Sequence, residues 1–343
     1  MNKEEIISLI KEKVSDITDL DERLYHALEL LEEYKDHKDF DEIISEVYFS
    51  IKKEIQENED PRLIEFSEIL ESTDELIMNE KYEEVITLLT PYQDLVDELL
   101  DVSNLEFDKL EPCCFFNETE KNLFYFMVSD PNKDTYLLNP LASEYYHRLS
   151  LVYLKTLNYN KAIECSKNIL KFNPCSNQAL LNMAYIAYTQ GNYLTSLEYI
   201  KEFSNYAFDN TMIFEAYQIL VDIYLGYEKY DYAAVFAYIG SSFTDNEEYE
   251  ETMYNIYEKY KDEIRFDVDD ENALDDFLSK EEFSYFPKDD VLDVLYTILM
   301  DLEEHNLMED YFEVGNMILS LVDDPDLENE LKKKVSEMNW WKY

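Results

Sequence analysis

A chain of 343 residues, 46% hydrophobic and 15% aromatic, carries enough apolar surface for real cores and too much for a disordered polymer. Its only glycines are Gly191, Gly226, Gly240 and Gly315, which starves the positive-φ turns that a Rossmann sheet, a P-loop or a Greek-key barrel needs. With 78 acidic against 29 basic residues the net charge is −49, so phosphate backbones and anionic membranes are repelled, and neither nucleic acid nor membrane is expected as a partner.

Residues 1–14 alternate charged with apolar positions and lack the unbroken apolar run of a signal peptide. No stretch reaches the ~20 apolar residues of a membrane span. Cys113, Cys114, Cys165 and Cys175 make no disulfide framework, which places the chain in the reducing cytoplasm. Residues 1–100 read as divergent helical hairpins. One pair is 22–36, through Leu24, Leu28 and Leu31, with 40–56, where Phe40, Ile43, Ile44, Val47, Ile51 and Ile55 recur at steps of three and four. Pro61 opens the next pair, 62–78 and 81–90, with Tyr82, Val85, Ile86 and Leu89 on the later helix. Residues 101–142 hold three of the eight prolines and read as a connector with one helix near 117–128 and an extended YLLNP piece. Any sheet is confined to a short pairing within it.

The middle, 143–247, repeats itself. Aligning SEYYHRLSLVYLKTLNYNKAIECSKNILKFNP (143–174) with the stretches from Asn177 and Ile213 gives recurring slots. They hold Tyr146, Leu149, Ser150, Tyr153, Tyr159 and Ala162 in the first copy, which ends on Pro174. The second copy has Leu180, Met183, Ala184, Ala187, Tyr193 and Ser196, with Gly191 in its turn, and the third has Tyr217, Leu220, Val221, Tyr224, Tyr230 and Ala233. The pattern resembles the tetratricopeptide repeat, a pair of antiparallel helices in about 34 residues. That resemblance implies an all-α, right-handed superhelical solenoid, because each hairpin leaves a face that only a stacked neighbour buries. The arrangement as a whole is similar to that of uncharacterised prokaryotic proteins of this repeat type. Residues 248–343 follow as an acidic link (264–288) and a terminal hairpin or cap, 289–321, with Val291, Leu295, Ile298 and Leu302 facing Leu307, Tyr311, Val314, Ile318 and Leu321 across the short EEHN connection.

No catalytic, cofactor or metal residues emerge. Glycine spacing excludes G-x-G-x-x-G, G-x-x-x-x-G-K and G-x-S-x-G, and neither C-x-x-C nor H-E-x-x-H occurs. The acids Asp267, Asp269, Glu271 and Asp275 lack the glycine and glutamate of a calcium loop, having Asn272 and Leu278 there, and read as a solvated linker. Cys113–Cys114, beside an expected loop, is the one place for a reactive thiol. The Trp340–Trp341 tail is expected to fold back on the last helix, with docking or dimerisation as its alternative.

The resemblance also implies a concave groove lined by the first helix of each repeat. Its positions here are His147, Leu151, Leu154 and Lys155, then Leu181, Tyr185 and Tyr188, then Gln218, Asp222 and Leu225. The family's clamp for acidic C-termini needs Lys, Asn and Arg on these faces, and Lys155 is the only cation present. The expected function is therefore a non-enzymatic scaffold that binds a basic or neutral peptide or protein segment with apolar anchors. An acidic chaperone for a basic or aggregation-prone client, and an inhibitor mimicking nucleic acid, are the alternatives.

Overall fold

A computed structural model describes residues 2–15, 17, 20–32, 34–35, 37–38, 40–58, 60–244, 246–305 and 307–337. The chain is mostly helical and packs as two compact units, Met1–Glu71 and Ser72–Tyr343. The first unit holds α1 (Lys3–Val14), α2 (Leu20–Glu32), α3 (Phe40–Asn58) and the start of α4 (Pro61–Met78). Asn2 and Glu5 close a capping box at the start of α1, each side chain accepting the other's backbone N–H. Ile6, Ile10, Ala27, Leu31, Ile43, Val47 and Ile51 form its core. On α2 the buried stripe is Ala27 and Leu31, while Leu28, expected inside, is 41% exposed. Ala27 sits one position nearer Leu24 and lets α2 pack closely where a leucine would hold it away. The side chain of Ile55 lies outside the described residues.

The second unit continues with α5 (Tyr82–Leu89), α6 (Gln93–Leu99), β1 (Leu110–Cys113), α7 (Glu118–Leu123), a π-helical turn at Phe124–Val128, and β2 (Asp134–Leu137). Strands β1 and β2 pair in parallel, Leu110 opposite Asp134 and Cys113 opposite Leu137, inside the connector. Next come α8 (Pro140–Lys155), α9 (Tyr159–Phe172), α10 (Asn177–Thr189), α11 (Tyr193–Phe203), α12 (Asn210–Gly226), α13 (Tyr230–Ser241) and α14 (Glu247–Tyr260), and sequence neighbours among them pack as pairs. Helices α5 and α6 pack directly on α8. No helix of the described residues is long and apolar enough to cross a membrane.

One turn recurs. Glu80, Leu157, Gly191 and Glu228 take left-handed backbone (φ 57°, 58°, 76° and 58°) at the α4–α5, α8–α9, α10–α11 and α12–α13 connections. In each, the next residue's N–H reaches back to a helix carbonyl: Lys81 to Leu76, Asn158 to Tyr153, Asn192 to Ala187 and Lys229 to Tyr224, all at 2.8–2.9 Å. This is the Schellman closure, which satisfies orphan carbonyls and reverses the chain. A tyrosine then opens the second helix each time: Tyr82, Tyr159, Tyr193 and Tyr230. Every repeat slot aligned above is buried or half-buried, with Ser150, Ala162, Ala184, Ser196, Leu220 and Ala233 at 0% exposure. Small side chains there let the paired helices touch: Ser150 and Ser166 join α8 to α9 at 2.9 Å, and the Ser196 hydroxyl donates to the Ala184 carbonyl of α10 at 2.8 Å.

The C-terminal part corrects the expected acidic linker. α15 (Glu271–Leu278) is capped by Asp270, and Leu274, Phe277, Leu278, Phe283 and Phe286 are buried in the core of this unit. The acids occupy the outer face of an amphipathic segment: Asp269 accepts from the Tyr238 hydroxyl at 2.5 Å, and Glu281 pairs with Lys229. α16 (Asp289–Glu304) and α17 (Met308–Leu321) form the expected hairpin, and α18 (Pro325–Glu337) packs on α17. Leu307, expected in the stripe, is 50% exposed in the turn. The Trp340–Trp341 tail lies outside the described residues.

Candidate binding groove

Helices α8, α10, α12 and α14 together wall a groove of about 470 Å³. Of the expected positions it gathers Leu154, Lys155, Leu181, Tyr185, Tyr188, Gln218 and Asp222. Leu181 forms floor rather than wall, at 2% exposure, whereas Tyr185 is 39% exposed. The Tyr188 hydroxyl donates to Asp222 Oδ2 at 2.9 Å, its ring stacks on Tyr193, and Tyr185 lies 6.4 Å away. Burial, with Asp222 as acceptor, pushes the Tyr188 hydroxyl up to about 12, so it stays a donor. Leu157 adds an apolar rim at 68% exposure, from the left-handed position of its turn.

Sequence reasoning missed Glu215, on the same face of α12 as Asp222, and all of α14, which contributes Thr252, Met253 and Ile256. Burial raises the pKa of the Glu215 carboxyl, partly offset by the nearby Lys155, the only cation among the described lining residues. A signal for α14 existed in Tyr249, Met253, Ile256 and Tyr260, spaced three and four apart.

Two expected positions are elsewhere, and Leu225, half-buried, lines no part of this groove. His147 and Leu151 face a separate cavity of about 520 Å³, shared with Phe116, Glu120, Arg148 and Met212. The connector occupies that end: Phe116 stacks on the His147 ring, 4.5 Å between centroids and 22° between planes. His147 is 6% exposed, so its ring is not open to a partner. Its Nδ1–H donates to the Ser143 carbonyl at 2.8 Å, which leaves Nε2 to accept from Ser176 Oγ at 3.1 Å. Burial lowers this imidazole to about 4, so it is neutral near pH 7.

Beyond Ser176 lies Glu120 of α7, 2% exposed. Asn173 Nδ2 donates to its Oε2 at 2.6 Å, and the backbone N–H groups of Phe116 and Asn177 also donate to it. Asn177 is the first residue of α10, whose own N-cap, Ser176, makes no side-chain cap bond. Glu120 therefore caps α10 from the connector, at the positive end of the helix dipole. Desolvation outweighs those bonds and raises its pKa to about 7. Ser176 and His147 stand at a nucleophile–base distance of 3.1 Å, yet Ser176 is 0% exposed and offers no approach to a substrate. Glu120 is a polar tie between connector and repeats.

The cysteines do not support a reactive thiol. All four are buried, Cys113 and Cys114 included, and burial pushes them up, to about 12 for Cys113 and Cys165 and about 11 for Cys114. Among the described residues no group of His, Cys, Asp or Glu side chains is arranged to hold a metal ion. Compared with protein families, characterised proteins and solved structures, the chain shows no match to any of them.

Proposed function

We propose that residues 143–247 are tetratricopeptide-type repeats of a right-handed solenoid, and that their groove, which α14 helps to line, holds a basic or neutral peptide segment of a partner protein. The observation carrying this reading is the composition of the groove: a semi-apolar wall of Leu154, Leu157, Tyr185 and Ile256 that bears two acids, Glu215 and Asp222, against one cation, Lys155. An exposed apolar strip of this kind gains nothing for an isolated chain, whereas aromatic walls give a ligand contact area at low entropic cost. The repeated Schellman turn and the buried small residues between paired helices support the repeat assignment. A net charge of −49 speeds encounter with a cationic partner, and apolar anchors then set the off-rate.

The test is affinity capture from native lysate with the wild type and a Tyr185→Ala, Tyr188→Ala double variant, both checked for helicity by circular dichroism. The wild type is expected to retain a partner with a basic segment, less of it as salt shortens the Debye length below ~10 Å. The double variant is expected to lose it. Recovery of the same partners with the same salt sensitivity removes the groove from consideration.

A further inference from the structure

We infer that the groove takes an extended segment with two basic side chains three positions apart and an apolar residue between them, one basic group meeting Glu215 and the other Asp222. This rests on the reading of the groove as a peptide site. Glu215 and Asp222 are seven residues apart on α12, and two helical turns bring both to one face. At 1.5 Å per residue their backbone positions are separated by about 10.5 Å. An extended ligand in the polyproline-II conformation has three residues per turn and advances about 3.1 Å per residue, so side chains three positions apart share a face about 9 Å apart.

Among the described residues neither acid forms a salt bridge, and the nearby Lys155 only partly offsets the raised pKa of Glu215. Asp222 Oδ2 accepts from the Tyr188 hydroxyl, and Asp222 lines the groove. Glu215 is exposed, and desolvation by the surrounding wall raises its pKa. A cation from a ligand relieves that cost. Between the acids the floor is apolar: Ile219 on α12, Leu181 opposite and Met253 of α14, all buried. The Tyr185 and Tyr188 rings beside Asp222 favour a planar guanidinium over an ammonium at that end.

The experiment measures fluorescence anisotropy of two labelled peptides of identical composition with the full chain. One is Gly-Ser-Arg-Leu-Ala-Arg-Leu-Ser-Gly, with the arginines three apart, and the other is Gly-Ser-Arg-Arg-Leu-Ala-Leu-Ser-Gly, with them adjacent. The spaced peptide is expected to bind about tenfold more tightly, and the preference to vanish in Glu215→Gln with Asp222→Asn. Both substitutions are at exposed positions, and the comparison of the two peptides on the wild type needs neither variant to fold. Equal binding of both peptides, still lost on Tyr185→Ala with Tyr188→Ala, overturns the spacing and leaves the groove reading standing. Binding of neither peptide, or binding that no groove substitution changes, overturns both.

Discussion

Replacing Glu120 by glutamine keeps its shape and removes its charge, which isolates what burying this carboxyl does to stability. The pKa rises from 4.5 to about 7, chiefly through desolvation. A carboxyl raised in the folded state contributes stability that is fully present below about pH 4.5 and is lost as pH climbs through about 7. At 1.4 kcal/mol per pH unit, the window amounts to about 3 kcal/mol. The variant carries no such penalty at high pH. It does lose an acceptor for one of the three donors around the carboxylate, a pH-independent cost of about 1–3 kcal/mol. The diagnostic is thus the slope rather than the offset. The stability of Glu120→Gln minus that of the wild type should be flat below about pH 4.5, climb towards pH 7, and level off by about pH 8. His147 works in the opposite direction. Its pKa falls to about 4, so its contribution is present above pH 6.5 and lost as pH falls through 4. It titrates in both proteins, and the subtraction removes most of its effect. Urea unfolding followed by circular dichroism across this range gives the difference directly. A difference that does not change between about pH 5 and 8 would refute the argument that the buried cap of α10 carries a costly charge.

Four further outcomes are expected. Gly191→Ala adds no contact within 4 Å but forces alanine to φ +76°, so it should lower stability by about 1 kcal/mol, whereas Leu157→Gly at the matching turn should raise stability or leave it unchanged while weakening peptide capture; both are read from denaturant midpoints. Gly240→Ala places a Cβ 2.7 Å from both Tyr217 Cβ and Met253 Cε, and because Tyr217 is wedged against Phe286 at 4.3 Å between ring centroids, calorimetry should find a loss of about 1–3 kcal/mol. Compaction concentrates a net −49 charge, so moderate salt, with a Debye length of ~10 Å, should raise the melting temperature; a melting point indifferent to salt means the acids are too dispersed to repel.

Helix identity in this chain was legible because it is written in local spacing. The stripes through Ile43, Val47 and Ile51, and through Tyr311, Val314 and Ile318, are buried as their periodicity requires. The repeat slots from Tyr146 to Ala233 were legible for the same reason, since small residues where helices touch recur at fixed offsets. Charge misled where it masked such a stripe: Leu274, Phe277 and Leu278 are core positions in a segment whose acids dominate its composition. What the groove holds at each end was decided by tertiary structure alone. His147 sits on the same helix as Leu154 and Lys155, yet it is sealed by Phe116, 31 residues earlier in the sequence and brought there by the connector. Glu215 and the α14 side chains join Tyr185 only because non-consecutive helices are brought side by side, and the buried Glu120 gains its purpose only when the unsatisfied N–H groups of α10 arrive beside it. Periodicity reports which face of a helix is buried; it carries no information about which distant segment does the burying, and that contact determines whether a residue becomes wall, floor or seal.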